Sequence, residues 1–176
     1  KLEDDIRHVS HVLVVGGGYI GLELAAALRH AGKEVTLVYP GEYPLRRVLP
    51  RELGLFVADR YRQEGVEIVS NEAITGFQRQ GGELIAFTAG HNQILTHLVV
   101  VGTGVTPQTD LADAAGIEIG NGIEVDEYGR TTEQHVWAAG DVAEFPALAI
   151  GRPIRVEHWE HAREHGRAVG ANMAGP

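Results

Sequence analysis

Three glycines, Gly16, Gly18 and Gly21, stand in the spacing G-x-G-x-x-G at the point where a short apolar run gives way to helical period. That spacing suits the diphosphate of a dinucleotide. Gly16 permits the tight turn, Gly18 lets the backbone approach a pyrophosphate with no Cβ in the way, and Gly21 lets the helix pack close to the strand. Tyr19 and Ile20 fill the first helical turn between the last two glycines, where free N–H groups and the helix dipole favour an anion. The bland alternative is a turn whose glycines serve packing alone. About 20 residues further on, at the end of the second strand, such a site uses an acid to take the adenosine ribose hydroxyls. Tyr39 occupies that slot, and the nearest acid is Glu42, with Arg46 and Arg47 just beyond. Glu42 favours NAD(H). Arg46 or Arg47 would instead pair with the 2′-phosphate of NADP(H), and all three can equally be solvated loop charges. Glu23 is read as a first-turn acid, a position the dipole alone explains.

The elements that must carry these residues are legible in outline. His11 to Gly16 is a β-branched apolar run ending in glycine, as in a strand buried on both faces. Ile20, Leu24, Ala27, Leu28 and Ala31 then share one helical face, with Gly32 as cap, and Glu34 to Tyr39 is again strand-like. Pro50 opens a second helix whose face is Leu53, Phe56, Val57 and Tyr61, Gly65 closes it, and Val66 to Ser70 is a third strand. Between Ala73 and Val101, Gly81-Gly82 and Gly90-His91-Asn92 punctuate three extended stretches, a meander. Beyond Gly104 the chain is turn-rich, includes a strand-like Val136-Trp137-Ala138-Ala139, and ends in a helix from about Trp159 to Met173. The expected fold is α/β: a Rossmann-like parallel sheet with a three-stranded antiparallel meander over residues 1–104, then a second segment over 105–176.

Composition narrows the function classes. With 15 Lys plus Arg against 24 Asp plus Glu, the formal net charge of −9 would repel a phosphate backbone, so no nucleic-acid partner is expected. No apolar run approaches the roughly 18 residues of a membrane-spanning helix. The absence of cysteine removes a disulfide framework, thiolate metal sites and a cysteine nucleophile from this chain. Glycine is in excess, 23 of 176 residues, about 13% against an average of about 7%, which points to close-approach turns. The acidic start Lys1-Leu2-Glu3-Asp4-Asp5 has no signal-peptide character. The chain reads as a fragment, and a cytoplasmic location is expected.

Three ordered signatures carry a family resemblance: Val14-Val15-Gly16-Gly17-Gly18-Tyr19-Ile20-Gly21-Leu22-Glu23-Leu24-Ala25, Val101-Gly102-Thr103-Gly104-Val105-Thr106-Pro107 and Val136-Trp137-Ala138-Ala139-Gly140-Asp141. Together with Arg155-Val156-Glu157-His158-Trp159-Glu160-His161-Ala162 they resemble the pyridine nucleotide-disulfide oxidoreductase superfamily of FAD/NAD(P)H reductases. Within it they are most similar to apoptosis-inducing factor and the ferredoxin and rubredoxin reductases. The resemblance implies an NAD(P)H-binding domain over 1–104 and a segment of the FAD-binding domain over 105–176. Gly16, Gly18 and Gly21 would hold the NAD(P)H pyrophosphate, and Gly102 and Gly104 would flank the nicotinamide. Asp141 would meet the FAD ribityl chain, and Trp159 would lie near the cofactor. Glu23, Glu157 and His158 would take the catalytic places beside the nicotinamide and flavin rings.

The implied activity is hydride transfer from NADH to flavin, and onward electron transfer to a ferredoxin-like acceptor. An N-terminal FAD segment and a C-terminal interface domain would complete such an enzyme. Tyr39 and the single G-x-G-x-x-G are departures from the family pattern. The alternatives are a disulfide reductase or NADH oxidase of the same superfamily, or a non-catalytic NADH-sensing module. His158, His161 and His165 fall within about 60° on a helix at about 100° per residue; a solvated helix beginning beside the flavin explains them without a metal, and no metal site is expected.

Overall fold

The computed structural model describes residues 2–175, which divide between Gly104 and Val105 into two compact units. The first begins with helix α1 (Leu2–Arg7), strand β1 (His11–Val15), helix α2 (Tyr19–His30) and strand β2 (Glu34–Tyr39). Helix α3 (Arg51–Gln63) and strand β3 (Val66–Ser70) follow, then β4 (Ile74–Gln80), β5 (Glu83–Thr88), β6 (Gln93–Thr96) and β7 (Leu98–Val101). Strands β3, β2, β1 and β7 form, in that order, a wholly parallel sheet; β4, β5 and β6 form a separate antiparallel sheet.

The period of two along β1 explains why its sequence is apolar throughout. Val12 and Val14 pack on one face with Leu22, Ala25 and Leu28 of α2, while Leu13 packs on the other with Val38 and with Ala86 of the meander. All three β1 residues are fully buried, so both faces of the strand are core. His11 ties the layers together: one ring nitrogen lies 2.7 Å from the Leu95 carbonyl and the other 2.9 Å from the Thr36 hydroxyl, which donates to Glu67 at 2.8 Å.

The helical faces keep Leu28, Val57 and Tyr61 of the expectation and differ at the other positions. In α2 the buried residues are Gly21, Leu22, Ala25 and Leu28, and Ile20 is exposed; in α3 they are Gly54 and Ala58, and Leu53 and Phe56 are exposed. Small residues let the helices approach closely, so they choose the face in place of the largest apolar side chains. Helix α2 ends as read: Gly32 has φ +77°, its N–H reaches the Arg29 carbonyl and the Lys33 N–H reaches that of Leu28, a Schellman cap.

The second unit contains helix α4 (Asp110–Ala114), strand β8 (Ile123–Glu124), a 3-10 turn (Gly140–Val142), strands β9 (Ala143–Ala147) and β10 (Arg152–Ile154), and helix α5 (Trp159–Ala174). Strand β9 runs parallel to β8 and antiparallel to β10. Val136 to Ala139 is not a strand: only Trp137 pairs, in an isolated bridge with Arg130. Val169 of α5 is buried and packs against Gly129, where a Cβ would come within 2.4 Å of it. Among the described residues no helix is long and apolar enough to cross a membrane.

Candidate functional site

Between the last residue of β1 and the first of α2 the chain has only Gly16, Gly17 and Gly18 with which to turn. Gly16 adopts φ +121° and donates to the Val38 carbonyl at 2.8 Å; a Cβ there would lie 2.3 Å from the Gly102 carbonyl oxygen. Gly102 in turn donates to Val15 at 2.8 Å, and its own Cβ would meet Ile20 at 3.3 Å. Gly16, Gly21 and Gly102 therefore meet in one close-packed knot. Gly18 differs: it is exposed, has φ −86°, and a Cβ added to it meets nothing within 4 Å. It is the N-cap of α2 and supplies no side-chain cap. The first-turn amides of Tyr19, Ile20 and Gly21 are thus left without an intrahelical or side-chain acceptor, which suits an anion. Gly104, with φ +114° and open space around it, lies at the end of the unit, away from the knot's contacts.

Glu23 is the fifth residue of α2, one turn further in than expected, because the helix starts at Tyr19. The dipole account of this acid therefore fails, since that effect fades within the first turn. Glu23 is exposed, and its charge, after burial, helps to raise the pKa of Tyr61, whose hydroxyl donates to the Leu22 carbonyl at 3.1 Å.

The loop after β2 is fastened to the glycine turn by the Leu45 N–H, which donates to the Gly17 carbonyl at 2.8 Å. Beneath the same turn lies the Tyr39 ring, so close that a Cβ on Gly17 would reach it at 2.8 Å. Glu42 is exposed but engaged. Arg51, at the start of α3, donates from Nε to Oε2 at 3.0 Å and from Nη2 to Oε1, and these hydrogen bonds hold the Glu42 carboxyl below its ordinary pKa. Arg46 folds against Gly41, and Arg47 is exposed.

In the second unit Asp141 occupies the exposed middle of the 3-10 turn, which Gly140 enters at φ +78°. Arg155, whose side chain is 10% exposed, holds the turn: Nη1 donates to the Asp141 carbonyl at 3.0 Å while Nη2 pairs with Glu157 at 2.6 Å. His158 is the N-cap of α5, its Nδ1 accepting the Glu160 N–H at 3.3 Å, and its ring stacks on exposed Trp159 at 6.0 Å. Asp141, Glu157 and His158 are thus joined through one guanidinium and one helix start. The other two histidines of α5 face Phe145. His161 and His165 lie 5.1 Å apart and both contact Phe145, and His165 Nδ1 accepts the Gly140 N–H at 3.2 Å. Among the described residues no three His, Cys, Asp or Glu side chains come together as a metal site.

Sequence reasoning did not single out Arg51, and it named Arg155 only within a motif and His165 only as one of three histidines on a helical face, without their partners. Arg155 had a usable signal, an arginine two residues before Glu157 and flanked by Ile154 and Val156. The pairings of Arg51 and His165 had none, because their partners lie 9 and 25 residues away across turns.

A family model described as pyridine nucleotide-disulphide oxidoreductase matches residues 1–166. The ferredoxin–NAD(+) reductase component of the anthranilate 1,2-dioxygenase system of Burkholderia cepacia is 35% identical over 164 residues, covering 93% of this chain and 40% of that protein. The crystal structure of the ferredoxin reductase for the CYP199A2 system of Rhodopseudomonas palustris superposes with a TM-score of 0.93 at 33% identity, covering 99% of this chain and 44% of that one. An NAD-dependent persulfide reductase from A. fulgidus gives a TM-score of 0.92 at 32% identity, covering 99% of this chain and 33% of its own. The chain thus spans about 40% of the length of the curated relative.

Proposed function

This chain belongs to the pyridine nucleotide-disulphide oxidoreductase family, and from that premise we propose that it is the NAD(P)H-binding part, with a segment of the FAD-binding part, of an FAD-dependent reductase. The observation that carries the reading is the contrast among the glycines: Gly16 and Gly21 are locked against backbone, whereas Gly18 has nothing within 4 Å of the place a Cβ would take. An open glycine at the uncapped start of a 12-residue helix is what a pyrophosphate needs in order to approach the amides. When bound, the nicotinamide supplies a hydride and the flavin accepts it. The chain's own residues hold and orient: the α2 amides would take the phosphates, Gly102 closes the knot that fixes the turn, and Gly104 leaves open space at the end of the unit. Asp141 would offer its exposed carboxylate to the flavin's polyol chain, and Glu157 and His158 would stand on the flavin side of the same unit. NADH is the proposed donor, and a ferredoxin-like protein, as the name of the Burkholderia cepacia relative states for that enzyme, is the proposed acceptor.

A second reading is favoured by the persulfide reductase similarity: the same nicotinamide half serving a sulfur-reducing enzyme. It would require a redox cysteine beside the flavin, supplied from outside these 176 residues.

Calorimetric titration with NADH of the chain and of Gly18→Val tests the common core of both readings. Loss of binding with an unchanged circular dichroism spectrum is expected. Equal affinities would remove the pyrophosphate from Gly18.

A further inference from the structure

We propose that Arg51 tunes the nucleotide preference of this site: by occupying the Glu42 carboxylate it withholds that group from the adenosine ribose of NADH and so narrows the discrimination between NADH and NADPH. The proposal rests on the reading of the glycine turn as a dinucleotide site.

In a doubly wound domain a pyrophosphate anchored at the first turn directs the adenosine toward the carboxyl end of the second strand. Here that end is β2, and the loop leaving it is held beside the turn by the Leu45 to Gly17 hydrogen bond and by the Tyr39 ring under Gly17. Glu42 is the only acid between Tyr39 and Arg51, so recognition of the ribose hydroxyls by a carboxylate falls to it.

Both oxygens of that carboxylate are already bound by one guanidinium, the Nε to Oε2 distance being 3.0 Å. A forked pair of this kind takes one lone pair on each oxygen, the two that a bidentate grip on vicinal ribose hydroxyls would also use. It also has no net charge, so it repels a 2′-phosphate less than a free carboxylate would. Arg46 and Arg47 stay nearby as cations. The masking is partial, because the side chains of Arg51 and Glu42 are 56% and 46% exposed, and exposed pairs are weak enough for a ligand to compete with them.

The test is calorimetric titration of the full chain with NADH and with NADPH, in the unmutated protein, Arg51→Gln, Glu42→Gln and the double variant. Arg51→Gln should tighten NADH by about two- to five-fold, the scale of an exposed ion pair, and should weaken NADPH. In the Glu42→Gln background the same change should leave NADH affinity where it was. Both positions are exposed, and thermal unfolding midpoints check that the variants fold alike. If Arg51→Gln leaves or weakens NADH affinity, or tightens it equally without Glu42, the masking role is overturned while the dinucleotide site stands. If the unmutated chain binds neither nucleotide, the glycine-turn reading fails and this proposal falls with it.

Discussion

A Cβ on Gly21 would lie 1.8 Å from the carbonyl oxygen of Gly16, closer than any side-chain atom can come to backbone. The two glycines therefore fix the distance between β1 and α2, and no rotamer change could relieve a substitution. Gly16 is doubly constrained, by φ +121° and by the Gly102 carbonyl 2.3 Å from its would-be Cβ. Gly16→Ala and Gly21→Ala are each expected to destabilise the chain at or above the upper end of the about 1–3 kcal/mol typical of overpacking. Gly18→Ala, at φ −86° with open space, should stay within about 0.5 kcal/mol of the unmutated protein. Urea denaturation of the three variants checks the order. A Gly21→Ala variant as stable as Gly18→Ala would mean the close approach does not exist in solution.

Tyr39 occupies the slot where an acid was sought, and its ring is buried beneath Gly17 with no hydrogen-bond partner for its hydroxyl among the described residues. A buried hydroxyl left unpaired costs stability, and removing it recovers part of that cost. Tyr39→Phe is expected to raise the unfolding free energy by up to about 1 kcal/mol. Burial raises the phenol's pKa above 10.0, against the smaller opposing effect of Arg62. Its contribution is therefore complete below pH 10 and is lost at higher pH, where the unfolded chain ionises first. The variant should lack that alkaline loss. A destabilised Tyr39→Phe would show that the hydroxyl has a partner in solution.

The parts of this molecule that sequence revealed are those set by strong local rules. The β1 run, buried on both faces, could hardly be anything but a central parallel strand, and the glycine spacing gains its meaning from standing directly after it. Helical faces were harder, because Gly21, Ala25, Gly54 and Ala58 direct the packing while carrying almost no hydrophobic signal, and exposed Leu53 and Phe56 pull a periodicity count off the true face. Strands β9 and β10 were missed, since Pro146 and Pro153 argue against strand and these residues pair directly across the hairpin. At the candidate site, Gly16, Gly18 and Gly21 stand out by their spacing, and Asp141 by the motif that carries the family resemblance. The pairing of Glu42 with Arg51 and the bracing of the Asp141 turn by Arg155 could not be read, because contacts across turns depend on loop geometry that no spacing encodes.

His165 links acidity to the turn that carries Asp141. Its Nδ1 accepts the Gly140 N–H at 3.2 Å, which a doubly protonated ring cannot do, and burial, with His161 beside it, lowers its pKa below the ordinary 6.5. Well above pH 6.5 the ring is neutral in folded and unfolded chain alike. As pH falls below that value the unfolded ring takes up its proton first, so stability falls until the folded ring also protonates. His165→Gln keeps an acceptor for Gly140 but cannot titrate in this range. Unfolding midpoints measured from pH 7.5 to pH 5 should fall less for the variant than for the unmutated chain, and parallel curves would show that His165 is not the sensitive group.

The last prediction concerns the flavin. The 176-residue polypeptide contains one G-x-G-x-x-G, and the proposed function gives it to the nicotinamide dinucleotide, so within this polypeptide the ADP half of FAD has no glycine turn of its own. What the second unit offers is the Asp141 carboxylate on its Arg155-braced turn and the start of α5 at His158. Each contributes on the scale of a charged hydrogen bond, roughly 1–3 kcal/mol, against an association cost of at least about 4 kcal/mol. The polypeptide, incubated with excess FAD and desalted, is therefore expected to emerge colourless while still binding NADH. A stoichiometric flavin spectrum after desalting would mean that the glycine turn holds FAD, and the assignment of residues 1–104 to the nicotinamide would be reversed.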